Sequence, residues 1–218
     1  METYQSEQEQ VEALKKWWRE NTVAVVGGVV LGLGVAFAVW AWRDYHNNQA
    51  IQASAEYEQL MGDVRRGAAQ EALERSERIM REYGGTPYAV FAALVSARIA
   101  LDNGDNTAAR QQLEWALAHA SEPAVEQLAR LRLARVMLDQ DDAEAALKLI
   151  HNADAGGYRA DYDAVLGDIY LALKQMEQSR SAYQKARQAM PANSEQAALI
   201  QMKLDDLGAV DSQAPVQP

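Results

Sequence analysis

The stretch ADYDAVLGDIYLALKQMEQSRSAYQKARQAMPAN, residues 160–193, decides the fold. Leu166, Gly167 and Tyr170 stand on a first helical segment and Tyr183 and Ala186 on a second, which Pro191 ends. The spacing has a physical cause. A small Gly167 lets an antiparallel neighbour come close, the two tyrosines fill the space between helices, and a proline cannot continue the second one. Such a pair cannot bury its apolar face alone, so the pattern demands further copies.

Copies stand upstream. Leu133, Ala134 and Met137 precede Ala146, Ile150 and Ala153; before them come Ala97, Ala100 and Gly104, then Ala109, Leu113 and Ala116. Residues 44–66 with 70–83 make a looser pair, and residues 195–207 supply the solvating cap helix that stacked repeats need. The order L-G-x-x-Y … F/Y-x-x-A … P over about 34 residues is that of a tetratricopeptide unit. Turn signals separate the helices: Arg66-Gly67, Gly84-Gly85-Thr86-Pro87, Asn103-Gly104-Asp105, Glu122-Pro123, Asp139-Gln140-Asp141, Gly156-Gly157 and Met190-Pro191. No segment alternates apolar and polar residues as a strand does.

Residues 23–42 (VAVVGGVVLGLGVAFAVWAW) carry no charge and no strongly polar side chain. Twenty helical residues span roughly 30 Å, the thickness of a bilayer's hydrocarbon core. The ten Val, Leu and Phe residues favour insertion by roughly 3–6 kcal/mol. Trp17 and Trp18 before the run, and Trp40 and Trp42 at its end, suit the headgroup level. Lys15, Lys16 and Arg19 flank it on the N-terminal side against Arg43 alone on the other. The expected orientation is therefore N-terminus in the cytoplasm and bulk outside. Ala36-Phe37-Ala38 resembles a signal-peptidase site, but no polar region precedes it, so the expectation is an uncleaved anchor. Ala24, Gly28, Gly32 and Ala36 share one face of this helix, a pattern that lets a second helix approach.

The predicted architecture is all-α: one transmembrane helix followed by a tetratricopeptide-like α-solenoid. Residues 1–22 are a cytoplasmic segment, polar and disordered over 1–10, with a short amphipathic helix marked by Val11, Leu14, Trp17 and Trp18. Residues 43–207 form the repeat domain, and 208–218 a disordered tail. The first 42 residues hold three of the 21 Lys+Arg and five of the 31 Asp+Glu, leaving the remainder at net −8. An acidic domain lacks the basic footprint that phosphate-backbone binding requires, which argues against nucleic acid as a partner. With no cysteine in 218 residues there is no disulfide framework and no thiolate metal or redox site.

The acidic N-terminus leading into QVEALKKWWREN (residues 10–21), the glycine-rich span, the repeats and the closing MKLDDLG (202–208) resemble the YfgM family. The resemblance implies an ancillary subunit of the bacterial Sec translocon, anchored in the inner membrane with its helical domain in the periplasm. It implies SecYEG and a membrane-anchored PpiD-like periplasmic chaperone as partners, around unfolded clients emerging from the channel. It implies no catalytic residue. The rival reading is a membrane-held regulator that sequesters a stress-response signalling protein.

The residues themselves offer no enzymatic constellation. His46, His119 and His151 have no partner at ligand spacing. The Asp139-Gln140-Asp141-Asp142 run has Glu144 and Ile150 where a calcium loop needs Gly and Glu. No catalytic set, metal or cofactor is expected; what remains is binding surface. First helices of stacked repeats line a concave groove. The repeat register turns Phe91, Leu94, Arg98 and Leu101 toward it, then Leu128, Leu131, Arg135 and Leu138, then Asp161, Ala164 and Asp168. Arg98 and Arg135 would orient a helix or extended segment lying there.

Overall fold

A computed structural model describes residues 6–213, and no strand occurs among them. Among the described residues nine α-helices run in order: α1 (Ser6–Arg65), α2 (Ala69–Glu82), α3 (Pro87–Asp102), α4 (Asn106–His119), α5 (Pro123–Asp139), α6 (Ala143–Ile150), α7 (Arg159–Ala172), α8 (Met176–Ala189) and α9 (Glu195–Gln213). A single 3₁₀ turn, Gly156–Tyr158, precedes α7. Every turn signal read from the sequence falls at a junction of helices, with Pro87 and Pro123 as first helical residues and Asp139 as a last one.

The chain divides into two compact units between Gln49 and Ala50. In the first unit, helix begins at Ser6, ahead of the amphipathic segment, and passes into the apolar run without a break. Val29, Val30, Leu31, Leu33 and Phe37 are exposed, as are the four tryptophans of the belts. Helix α1 is the one described helix long and apolar enough to cross a membrane. Outward-facing Val, Leu and Phe along a run of this length suit lipid, not water.

In the second unit, residues 50–65 pair with α2, α3 with α4, α5 with α6, and α7 with α8, with α9 packing on α8. The loosely matching first pair is thus a full member of the array. Each pair closes in the same way. Gly67, Gly104, Asp141 and Lys174 take left-handed backbone conformations at φ 71°, 76°, 61° and 60°. The next amide in each turn reaches back to the helix: Ala68 to Asp63, Asp105 to Ala100, Asp142 to Met137 and Gln175 to Tyr170, at 2.8–3.0 Å. This six-residue closure satisfies carbonyls that the helix end leaves open. Asp105 then caps α4 by accepting from the Ala108 amide at 2.9 Å.

Packing follows the repeat. Leu113, Ala116, Leu133, Ala134, Met137, Ala146 and Ile150 sit in one core that runs from α3 to α7. Gly167 shows why its position must be small: a β-carbon there would lie 2.3 Å from the Tyr183 ring. Tyr183 is fully buried, and the Ser179 hydroxyl donates to the Gly167 carbonyl at 2.8 Å. The two helices are pulled as close as backbone allows. Tyr170 differs from the expected gap-filler; it is half-buried and its hydroxyl meets His151 Nδ1 at 2.9 Å, tying α7 to the preceding pair.

The first pair is fastened differently. Asp63 is buried and accepts from Arg75 Nε at 2.7 Å, while Arg75 Nη1 reaches Glu56 at 2.9 Å. The hydrogen bond to Asp63 is the chief influence raising the Arg75 pKa.

At its end the chain departs from the sequence reading. Helix α9 continues through Gly208 to Gln213, where a disordered tail was expected from residue 208. A glycine costs about 1 kcal/mol relative to alanine within a helix, too little to stop one already propagating. Residues 1–5 and 214–218, the outer parts of the two termini expected to be disordered, lie outside the described residues.

Candidate protein-docking groove

Between α3 and α5 lies a cavity of about 400 Å³. Its floor is apolar: Leu94, Ala97, Leu113 and Val136 are all buried, and Leu101 is half-buried. Its walls carry Arg98 from α3 and Arg132, Arg135 and Asp139 from α5. The helical period places these groups. Leu94, Ala97, Arg98 and Leu101 recur at intervals of three and four along α3, so they share a face. Arg132, Arg135, Val136 and Asp139 do the same along α5.

Four residues expected to face a groove therefore meet in one place: Leu94, Arg98, Leu101 and Arg135. The other seven stand elsewhere. Leu131 is 2% exposed and belongs to the core, because a one-residue step turns a helix by about 100° and brings Arg132 to the groove instead. Asp168 accepts from the Tyr183 hydroxyl at 2.6 Å and pairs with Lys203 of α9, so it joins α7 to its neighbours. Burial is the main cause that raises the Tyr183 pKa, and the bond to Asp168 adds to it. Phe91 packs among the rings of Tyr57 and Tyr88, at centroid distances of 6.0 and 6.2 Å. Leu128 and Leu138 pack partly buried against the core, Ala164 against the α8–α9 cluster, and Asp161 approaches Arg135 at 3.5 Å.

The groove's charges are unequally satisfied. Arg98 Nε donates to both carboxylate oxygens of Asp102 at 2.8 and 3.0 Å, one turn along the same helix. That pair raises the Arg98 pKa. Arg135 is directed to Asp161 across the next repeat. Arg132 makes no hydrogen bond or ion pair among the described residues. Burial lowers its pKa, Tyr158 opposes the shift, and Arg135 and Arg98 reinforce it. Sequence reasoning missed Arg132 because α5 reads L-R-L-A-R over residues 131–135, where either arginine register is plausible until the core side is known.

A second cavity, about 380 Å³, lies among α6, α7 and α8 beside His151, Tyr170, Glu177 and Lys185. Its Arg159 and Asp163 already face each other at 3.5 Å. Among the described residues no group of three or more His, Cys, Asp or Glu is placed to hold a metal. In the first unit, Ala24, Gly28, Gly32 and Ala36 are exposed, and a β-carbon at Gly28 or Gly32 would touch nothing of this chain.

Known proteins bear on these features. A family model described as a tetratricopeptide repeat-like domain matches residues 15–209. The chain is 31% identical to an ancillary SecYEG translocon subunit of Escherichia coli, over 95% of this chain and 99% of that protein. Proteins of the same name from Aggregatibacter actinomycetemcomitans and Haemophilus influenzae are 29% and 28% identical, each over 92% of this chain and 97% of the relative. Among solved structures, MamA of Desulfovibrio magneticus shares the fold with a TM-score of 0.55 at 20% identity, covering 75% of this chain and 97% of that one.

Proposed function

The chain belongs to the YfgM family of tetratricopeptide-like ancillary SecYEG translocon subunits, and from that premise we propose that it is a non-enzymatic scaffold held beside the secretion channel. The observation that carries this reading is the presence of one exposed apolar helix and a repeat domain in a chain that matches a translocon subunit over 95% of its length. The apolar helix anchors the protein in the inner membrane. Lys15, Lys16 and Arg19 hold the N-terminus in the cytoplasm, so the repeats stand in the periplasm. The small-residue face at Ala24, Gly28, Gly32 and Ala36 is the contact for a channel helix.

The mechanism is tethering. Anchoring raises the local concentration of a weak binder near emerging chains, so modest contacts suffice. The α3–α5 groove takes a segment of a partner, either a PpiD-like chaperone or an unfolded client. A photocrosslinking amino acid at position 32 in intact membranes tests the anchor: crosslinks to SecY, SecE or SecG are expected. Crosslinks confined to lipid or to a signalling protein would defeat it. Protease added from the periplasmic side should digest the repeat domain; digestion only from the cytoplasmic side would overturn the orientation.

A further inference from the structure

We propose that the α3–α5 groove binds an apolar polypeptide segment that presents one acidic side chain to Arg132. This inference rests on the docking-groove reading and adds the chemistry of the occupant.

The three arginines of the groove are not equivalent. Arg98 is committed to Asp102 and Arg135 to Asp161. Arg132 stands between these like charges with no carboxylate of its own, and Asp139, further along α5, makes no ion pair with it. Although the residue is exposed overall, desolvation is the largest influence on its guanidinium. A guanidinium that lines a cavity, flanked by cations and unpaired, gains most from a carboxylate, to which its planar fork donates two hydrogen bonds.

The floor sets the rest of the occupant. Leu101 and the edge of Leu94, backed by buried Leu113 and Val136, offer an apolar surface that a free inorganic anion would leave wet. At about 400 Å³ the cavity is of the size that receives a few side chains, not a whole domain. An apolar segment covering the floor also excludes water from the ion pair, which strengthens it. The chain as a whole carries net charge −10, so the three arginines of the groove are a local exception to it, and Arg132, the unpaired one, discriminates by position.

The test uses the full-length chain in detergent micelles and three fluorescein-labelled peptides of fourteen residues. One carries leucines at helical spacing with a single glutamate; the second replaces that glutamate by glutamine; the third replaces the leucines by serine. Fluorescence anisotropy should show the glutamate peptide binding about tenfold more tightly than the glutamine peptide, the effect of one charge-assisted pair. The serine peptide should not bind. In Arg132→Gln the tenfold ratio should vanish while the circular dichroism melt is unchanged, and in Arg81→Gln, an exposed arginine of α2 outside the groove, it should persist.

Equal affinities of the glutamate and glutamine peptides for the wild-type chain, or a ratio that survives Arg132→Gln, overturns the proposal. So does binding of neither peptide. Competition by sodium sulfate beyond that of sodium chloride at equal ionic strength, with the serine peptide bound as well as the leucine one, assigns the site to a free anion. A dimer in sedimentation that Arg132→Gln dissolves assigns it to a second copy. Either result overturns the proposal. Co-purification with SecYEG, measured in parallel on the same variants, reports on the anchor; its loss defeats the proposed function and leaves the peptide ratio standing.

Discussion

Where α7 meets α8, Tyr183 lies fully buried against Gly167; where residues 50–65 meet α2, Arg75 spans Asp63 and Glu56. Both pairs close with the same left-handed turn. One joint is therefore set by shape, while the other adds a charged clasp to the apolar seam of Leu60, Ala72 and Ile79. Shape tolerates no added volume but is indifferent to salt. The charge pair tolerates change at Glu56, which is partly exposed, but little at Asp63, whose side chain is 3% exposed.

That contrast yields graded expectations. The largest effect belongs to Gly167→Val, which sets atoms within van der Waals radii of the Tyr183 ring. A loss of about 3 kcal/mol or more is expected in urea unfolding; a change under 1 kcal/mol would mean the helices separate freely. Next is Asp63→Asn, which leaves Arg75 beside a neutral amide. A loss of about 2–3 kcal/mol is expected: removing one partner of a fully buried pair costs about 3–5 kcal/mol, and the Arg75 side chain is 20% exposed. It should shrink little in 1 M salt, because the carboxylate is shielded from solvent.

The two joints should also part at high pH. The Tyr183 pKa is raised, chiefly by burial, above the usual value of about 10, so its share of stability is intact below pH 10. Above that, the unfolded chain releases a proton that the folded chain keeps, and stability falls by up to about 1.4 kcal/mol per pH unit. Alkaline melts of wild type and Tyr183→Phe should diverge in slope above pH 10; parallel slopes would show that the phenol ionises in place. The smallest effect is a gain. Lys174 holds φ 60° without being glycine, so Lys174→Gly should raise stability by up to about 1 kcal/mol.

Much of the fold was readable because its signals are local. Gly104 in N-G-D and Gly67 in R-G mark their turns by residue type. Asp141 and Lys174 occupy the same turn position without that mark, so the uniformity of the closures emerges only from backbone geometry. The match of residues 44–66 with 70–83 looked loose because part of its joint is an ionic clasp, and the tetratricopeptide pattern records small and aromatic residues, not charges. The groove was readable along α3, where Leu94, Arg98 and Leu101 share one face. It was misplaced by one step on α5, where leucine and arginine alternate and the core side is decided by α3 and α7. Asp168 could not be placed from the sequence alone, since Lys203 lies 35 residues away.

The recurrent left-handed closure has a consequence for how such a chain can change. Because each hairpin is shut by its own main-chain hydrogen bonds, a helix pair is a cassette whose ends do not depend on which residues fill it. Duplicating or deleting one would alter the reach of the array without redesigning a joint, so the span of the working face is an adjustable dimension.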